Sequence, residues 1–171
     1  ASGSRNILIA YNVNLDTNDK TLANNIAGKI RTSGVFRKDK EGNKIFDNNN
    51  KAIKKPGKFQ YLQAAGLMYD ENTAQVSMNL LNYNITGLHD VTESIKLEAK
   101  SLGLKVISSE LVGLVPLNAM LNAGQFYTKD SKQQSESELV NAAISGLKLD
   151  VIDEFNPENN IIEWTLSNSR R

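Results

Sequence analysis

Seven polar side chains recur at every second position of three strand-like segments. They are Asn12 and Asn14 in the first segment, Gln75, Ser77 and Asn79 in the second, and Ser108 and Glu110 in the third. Side chains two positions apart along a strand share one face of a sheet. Amides and hydroxyls both donate and accept hydrogen bonds, so this face suits a polar heterocycle or an amide better than bulk water. The pattern predicts a binding surface for a small polar molecule.

A plainer interpretation of the same residues stays open. Polar side chains on a sheet can pair across strands or bind the local backbone. Glu110, the single acid of the set, can also lie on an exposed sheet edge, where charge prevents aggregation.

Residue sets typical of catalysis are missing from the sequence. One histidine, His89, cannot form a two-histidine metal site, and a chain without cysteine has neither a thiol nucleophile nor a thiolate metal site. Neither GxGxxG nor GxxxxGK[ST] occurs, so nothing indicates dinucleotide or nucleoside triphosphate binding. We expect ligand binding without a metal and without a catalytic residue in this chain, and we expect His89 to be a surface or capping residue.

Composition excludes further classes of partner. The net charge is +1 and aromatic residues make up 6% of the chain, which argues against a nucleic-acid partner. No apolar run is long enough to span a membrane, and the lack of cysteine suits a reducing compartment, so we expect a cytoplasmic protein.

Periodicity predicts the elements that position the polar residues. The first strand is predicted in RNILIAYNVNL, where apolar residues alternate. A helix is predicted in LDTNDKTLANNIAGKIRTSG, which has helical spacing and either Asp16 or Thr17 as N-cap. Two further strands are predicted in FQYLQAAGLMYD and TAQVSMNLLNY, joined by a two-residue turn. GLHDVTESIKLEAKSLG is a helix and LKVISSELVG a fourth strand. This order predicts an α+β, ferredoxin-like split βαβ fold, whose four-stranded antiparallel sheet carries both helices on one face.

Further elements are predicted beyond the fourth strand. Pro116 suits the first turn of a helix, and Ser135 with Glu138 forms a capping box for the next one. The closing NNIIEWTL is predicted as a short strand or an extended tail.

Residues 35–58 are predicted as a long loop or an irregular hairpin, and no internal repeat is found along the chain. From Gly34 to Lys58 eight basic residues face three acidic ones, a local charge of +5. Such a charge run is typical of a solvated loop, but a loop of this length can also bind a polyanion.

Several stretches together resemble the C-terminal subdomain of glutamate formimidoyltransferase, the formiminotransferase half of formiminotransferase-cyclodeaminase. They are LIAYNVNL, AQVSMNLLNY followed by TGLH, SSELVGLVPLNAMLNAGQFY and NNIIEW, and they cover the chain from about Arg5 to Trp164. The resemblance implies one domain over residues 1–171, with residues 35–58 as a basic insertion and without the family's N-terminal subdomain.

Members of that family transfer the formimino group of N-formimino-glutamate to tetrahydrofolate during histidine degradation. Their folate lies in a tunnel between two subdomains whose sheets face each other. By this resemblance the polar face is one wall of the tunnel, and Glu110 accepts a hydrogen bond from the pterin edge or positions a neighbouring Asn. The implied partners are folate, N-formimino-glutamate, the N-terminal subdomain and a second copy bound through the uncovered sheet face.

No catalytic residue is carried over from the family. Its catalytic histidine belongs to the N-terminal subdomain, and ASGSR resembles the junction between the two subdomains. His89 matches the histidine of the family's TxLH stretch instead. The chain alone is therefore expected to be inactive, and the alternative is a non-catalytic interaction module that uses the polar face.

Folates of this family carry polyglutamate tails, which are polyanions. The resemblance therefore implies a binding role for part of the basic segment, namely Lys51, Lys54, Lys55 and Lys58.

Overall fold

A computed structural model describes residues 7–128 and 134–169, and the ASGSR stretch lies outside them. The strands are β1 (Ile9–Leu15), β2 (Val35–Phe36), β3 (Lys54–Lys55), β4 (Leu62–Met68), β5 (Ala74–Leu80) and β6 (Val106–Val112). The helices are α1 (Lys20–Ile30), α2 (Leu88–Ser101), α3 (Leu117–Tyr127), α4 (Glu136–Leu147), α5 (Pro157–Asn160) and α6 (Ile162–Ser169).

The main sheet is four-stranded and antiparallel, in the order β4-β5-β1-β6. Helix α1 packs on β4 and β5, whereas α2 packs on β1 and β6. Both helices bury their apolar stripes in one core with the inward side chains of the strands. The predicted α+β, ferredoxin-like arrangement is confirmed.

Helices α3 and α4 extend the core beyond α2, and they pack closely on each other. Helix α3 follows Pro116, which occupies the N-cap position just before the first turn. Helix α4 begins as expected, because Ser135 Oγ accepts a hydrogen bond from Glu138 N at 3.2 Å. The predicted additional C-terminal helices are therefore present.

Two local predictions are wrong, one because of a distant contact and the other because of a local helix cap. Asp19 caps α1, whereas Asp16 Oδ1 accepts a hydrogen bond from Lys105 N at 2.7 Å and so joins two loops at one end of the sheet. The NNIIEWTL segment is largely helical, since Asn156 caps α5 and α6 follows it. A single bridge between Ile161 and Val115 is its one extended contact in the described chain.

Residues 35–58, called the basic segment below, form an ordered hairpin-like structure, which agrees with the hairpin alternative of the prediction and not with the long loop. Strands β2 and β3 pair at its base. Beyond them the backbones of Arg37, Ile45 and Ile53 are joined in a closed ring: Arg37 N donates to Ile53 O at 2.8 Å, Ile53 N to Ile45 O at 2.8 Å, and Ile45 N to Arg37 O at 3.0 Å. This ring ties both halves of the segment to its base.

The basic segment also contains a repeat of eight residues that the sequence does not reveal. Asp39 Oδ1 accepts hydrogen bonds from the backbone N–H groups two and four positions later, at 2.9 Å each. Asp47 Oδ1 does the same at 2.8 and 2.9 Å. When residues 37–44 are aligned with residues 45–52, the aspartate is the one identical position. The repeat is therefore one of turn hydrogen bonds and not of sequence.

Tyr11 lies in the centre of the core with its hydroxyl 2.7 Å from Thr92 Oγ1. Thr92 Oγ1 already donates to Leu88 O at 2.7 Å, so Tyr11 is the donor in the pair. Burial raises the pKa of Tyr11 to about 12, because the phenolate would lose its hydration.

We expect the free energy of unfolding to fall as the pH rises from about 10 towards 12. In this interval Tyr11 of the unfolded chain has released its proton while the folded protein still holds it, which favours unfolding. The loss contributed by Tyr11 is on the order of 2 kcal/mol. Burial raises the pKa of Tyr127 as well. A protein that lacks the Tyr11 hydroxyl should therefore still lose part of its stability over this pH interval.

Urea unfolding of the wild type and of Tyr11→Phe between pH 8 and 11 tests this expectation. The variant should lose less stability between pH 10 and 11 than the wild type does. Equal slopes in the two proteins would contradict the role of Tyr11.

Candidate functional site

The polar face is the side of the main sheet that is turned away from α1 and α2. Strand pairing places its side chains in rows across the sheet. One row joins Gln75, Asn14 and Ser108, the next joins Ser77, Asn12 and Glu110, and the third contains Asn79. All seven residues predicted from the sequence therefore lie on one surface.

Hydrogen bonds across strands use the amide N–H groups of this face. Asn12 Nδ2 donates to Glu110 Oε1 at 3.2 Å, and Asn14 Nδ2 donates to Ser108 Oγ at 3.0 Å. Asn79 Nδ2 donates to Gln63 Oε1 at 3.3 Å. The plainer interpretation is thus correct for these groups, since they do pair across strands.

Pairing leaves two acceptors of the face unused. Asn14 Oδ1 and Gln75 Oε1 are buried and have no hydrogen-bond partner. The two residues are directly opposite each other on β1 and β5. A buried polar atom without a partner costs about 1–3 kcal/mol, so this pair of oxygens is suited to a ligand that donates hydrogen bonds.

The polar face is less open than the sequence predicted. The exposed fractions are 8% for Asn12, 1% for Asn14, 7% for Gln75 and 3% for Ser108, whereas Ser77, Asn79 and Glu110 are half-buried. The amide and hydroxyl groups pack against one another across the strands, which removes much of their surface from water. The face is therefore a set of positioned groups with little freedom to move.

Glu110 lies on β6, an edge strand of the sheet, but its carboxylate is held by Asn12. A small cavity of about 150 Å³ adjoins it, between β6 and residues 149–155. The charged residues that line this cavity are Glu110, Asp153 and Glu154, and all three are acidic. The surroundings of Glu110 therefore favour a cation.

Gln63 belongs to the polar face but was not among the predicted site residues. It lies on β4 opposite Asn79, and the alternation of FQYLQAAGL could have placed it there. Gln63 also lines a cavity of about 740 Å³ together with Arg31, Tyr61 and Leu81. The face is thus continuous with a cavity large enough for a drug-sized ligand.

Tyr61 lies in the wall of this larger cavity in a strained conformation. Its φ angle is +56°, a region that residues other than glycine rarely occupy. A hydrogen bond from Leu81 N to Tyr61 O, 2.8 Å long, holds the backbone there. Strained residues cluster at ligand sites.

The four lysines predicted to bind a polyanion do not form one uniform patch. Lys51 is exposed, and Lys54 lies with its Nζ 5.0 Å from the centre of the Phe36 ring. Consecutive residues of a strand point to opposite sides, so Lys55 faces away from Lys54. Lys58 Nζ donates to Ser94 Oγ on α2 at 3.2 Å. Two of the four ammonium groups therefore already have a partner in the protein.

His89 does not cap α2, contrary to one alternative of the prediction, and its side chain is partly exposed, at 18%. Its ring stacks on Phe126 with the centroids 4.9 Å apart, and its Nδ1 is buried without a partner. Asp90 caps α2 instead, since its Oδ2 accepts a hydrogen bond from Gly87 N at 2.8 Å. His89 lies in the helical layer, on the opposite side of the sheet from the polar face.

Two further findings concern the described part of the chain. Across residues 7–128 and 134–169, no three His, Cys, Asp or Glu side chains are grouped so that they could hold a metal ion. Within the same residues, every helix is too short or too polar to cross a bilayer.

Residues 10–167 match the model of the Formiminotransferase domain family. The chain is 39% identical over 166 residues to formimidoyltransferase-cyclodeaminase of Gallus gallus, covering 95% of this chain and 28% of that protein. It is 36% identical over 171 residues to the Rattus norvegicus protein of the same name, covering 98% of this chain and 28% of that protein. Glutamate formimidoyltransferase of Streptococcus pyogenes serotype M1 is 37% identical over 128 residues, which are 74% of this chain and 36% of that protein.

The chain thus spans under a third of the Gallus gallus and Rattus norvegicus proteins. The match to the family model runs from β1 into α6, so it includes the main sheet except Ile9, and all of the polar face. On the extent of this match, the chain belongs to the formiminotransferase domain family.

Proposed function

We propose that the polar face binds the folate co-substrate of a formimidoyltransferase and forms one wall of a site that a second subdomain completes. The observation that carries this proposal is the pair of buried acceptors, Asn14 Oδ1 and Gln75 Oε1, which have no hydrogen-bond partner within the described chain. The N–H groups of a reduced pterin are donors of the required kind. The larger cavity beside Gln63 offers space for the rest of an extended molecule.

The reaction at this site is the transfer of a formimino group from N-formimino-glutamate to tetrahydrofolate. The carbon of that group forms a bond to a folate nitrogen and breaks its bond to the glutamate nitrogen, while the folate nitrogen loses a proton and the glutamate nitrogen gains one. This transfer needs a general base. Because His89 lies in the helical layer, we assign the base to the N-terminal subdomain, and we propose that this chain binds and orients the substrates as the C-terminal subdomain.

The experiment that tests this function is calorimetry with folinic acid, a stable reduced folate. The chain is titrated alone and then mixed with the N-terminal subdomain of a formiminotransferase. We expect binding in the mixture, together with transferase activity, and binding at least tenfold weaker with the chain alone, because one wall of the site is then missing.

A mixture that assembles but binds no folate would refute the proposed function. The alternative, an interaction module that uses the polar face, would then be favoured if the chain alone self-associates through that face. Sedimentation of the chain at increasing concentration measures this directly. Self-association of the folate-binding protein would leave the proposed function intact.

The basic segment is proposed to contact the polyglutamate tail of the folate. Replacement of Lys51, Lys54, Lys55 and Lys58 by Ser should weaken binding of a pentaglutamyl folate about fivefold and leave the monoglutamate form unchanged. Each exposed charge pair contributes well under 1 kcal/mol, and Lys54 and Lys58 already contact Phe36 and Ser94, so a larger effect is not expected.

Lys20→Ser with Lys105→Ser, at two exposed lysines outside the basic segment, is the control, and Lys54→Ser with Lys55→Ser is the double variant that matches it in charge. Calorimetry at low and physiological salt separates the electrostatic part of the effect. An equal loss of affinity for the pentaglutamyl and the monoglutamate folate would contradict the proposed contact between the four lysines and the polyglutamate tail.

A further inference from the structure

Arg31, at the end of α1, lines the larger cavity of about 740 Å³ that adjoins the polar face. Among the described residues of the cavity wall, it is the one that carries a charge. We propose that Arg31 binds a carboxylate of the glutamate part of the folate, so that the site distinguishes a folate from a pteroyl amide with the same rings and no carboxylate. The inference rests on the proposed function of the polar face and extends it to the opposite end of the ligand.

Two backbone carbonyls hold the guanidinium group of Arg31. Its Nε donates to Gly34 O at 2.8 Å, and its Nη1 donates to Ala64 O on β4 at 3.2 Å. These bonds fix the group between the turn that ends α1 and an edge strand of the main sheet. A long side chain that is already fixed in this way loses little conformational entropy when it binds a ligand.

Arg31 keeps donors for a ligand after it has made these two bonds. A guanidinium group has five N–H bonds in a fixed plane, so three remain without a partner in the described chain. Parallel N–H bonds of a guanidinium group match the two oxygens of a carboxylate and form two charge-assisted hydrogen bonds with it. A structural role of Arg31 therefore uses only part of its donors.

The positive charge of Arg31 is not compensated by a neighbouring acid. Its two acceptors are neutral carbonyls, and none of the ion pairs found among the described residues includes it. The side chain is half-buried, and a charge in such a position is screened less than a charge in bulk water. The larger cavity therefore favours an anion beside Arg31.

The rest of the cavity wall suits the aromatic part of a folate. Tyr61, Leu62 and Leu81 provide apolar surface, and Gln60 and Gln63 provide amides. The aminobenzoyl ring of a folate can pack on such a wall, because aromatic rings gain from contact with aromatic and aliphatic side chains. The positive φ angle of Tyr61, +56°, is strain of the kind found at ligand sites. The cavity thus offers a partner to each part of an aminobenzoyl-glutamate unit.

The spacing along the sheet agrees with the length of a folate. Gln75 is near the start of β5, and Leu81 of the cavity wall follows the end of that strand, six residues later. At about 3.4 Å per residue, the two positions are roughly 20 Å apart. An extended folate has a comparable length, with the pterin at one end and the glutamate at the other. A pterin bound at Gln75 would therefore bring its glutamate to the cavity that Arg31 lines.

N-formimino-glutamate also carries carboxylates, but its place in the reaction is different. Its formimino carbon has to reach a folate nitrogen in or next to the pterin ring, so the donor lies at the pterin end of the site. Arg31 contacts β4 at Ala64, near the start of that strand, whereas Gln75 pairs with Leu67, near its end. The glutamate of the folate is therefore favoured over the glutamate of the donor as the partner of Arg31.

The experiment compares two ligands on the chain assembled with the N-terminal subdomain of a formiminotransferase. Folinic acid and the N-methylamide of formyltetrahydropteroate, which has the same rings without the glutamate, are titrated by calorimetry into the wild type, Arg31→Gln and Arg31→Lys. The KM for N-formimino-glutamate is measured on the same proteins, and urea unfolding measures the structural effect of each substitution. Lys20→Gln, which removes an exposed charge at the other end of α1, is the control.

We expect Arg31→Gln to weaken binding of folinic acid at least tenfold and binding of the methylamide less than twofold, because the methylamide has no carboxylate to lose a partner. Arg31→Lys keeps the charge without the planar fork, so its loss of affinity for folinic acid should be intermediate. The KM for N-formimino-glutamate should change less than twofold in each variant, and Lys20→Gln should bind both ligands as the wild type does.

An equal loss of affinity for the two ligands would show that Arg31 acts only through the fold, and it would overturn the inference. A raised KM for N-formimino-glutamate with unchanged affinity for folinic acid would assign Arg31 to the donor and would overturn the inference as well. If Arg31→Gln does not fold, the same comparison of ligands on Arg31→Lys decides. A wild-type assembly that binds neither ligand would refute the proposed function itself, whereas the other outcomes leave that function intact.

Discussion

Replacing Gly124 by valine is expected to lower the free energy of unfolding by about 3 kcal/mol or more. Gly124 is buried in α3 where that helix crosses α4, and a Cβ atom at this position would overlap the backbone carbonyl of Leu139. A backbone carbonyl cannot rotate away as the end of a side chain can, so the two helices would have to separate.

Thermal and urea unfolding measure the effect of Gly124→Val. For a chain of this length a loss of 3 kcal/mol lowers the Tm by roughly 6–12 °C. Gly42→Ala is the control, because no heavy atom lies within 4 Å of the added carbon. That control should lose about 1–2 kcal/mol, since φ at Gly42 is +86°. A valine variant no less stable than the control would show that α3 and α4 are not in close contact in solution.

The second prediction concerns Gln75, for which stability and binding should change in opposite directions. Gln75→Met has nearly the same shape but removes a buried acceptor that lacks a partner. The free energy of unfolding should therefore rise by about 1 kcal/mol. Tetrahydrofolate binding by the assembled protein should weaken about tenfold, because the ligand loses one hydrogen bond in a site closed to water.

Urea unfolding of the chain and calorimetry with folinic acid measure the two effects of Gln75→Met. Gln125→Met, on the exposed side of α3, should change neither quantity. A stabilised Gln75→Met variant with unchanged folate affinity would mean that the acceptor serves no ligand. A destabilised variant would mean that Gln75 Oε1 finds a donor in solution.

Periodicity was enough to predict the sheet, because each strand of the main sheet has one face in the core. In β1 the apolar residues Ile9, Tyr11 and Val13 alternate with Ala10, Asn12 and Asn14, and each of the three apolar residues is fully buried. The same parity placed all seven site residues on one face. The position of a strand, and the side of the sheet that each of its residues faces, thus follow from the local alternation of residue types.

A contact between distant residues accounts for the wrong N-cap prediction. The sequence made Asp16 a reasonable N-cap for α1. In the structure its carboxylate instead accepts a hydrogen bond from Lys105 N, 89 residues away. The choice of Asn14 Oδ1 as an unused acceptor depends on how one amide is oriented towards Ser108. Neither property has a counterpart in spacing or composition. The residues of the polar face could therefore be predicted, but the acceptors that remain without a hydrogen-bond partner could not.

The paired base of the basic segment makes the residues beyond it a permissive position for engineering. Strand β2 pairs with β3, and Arg37 N donates to Ile53 O at 2.8 Å, and neither contact involves residues 38–52. Residues 38–52 could be exchanged for a short turn, an epitope tag or a fluorescent label while the main sheet keeps its strand register.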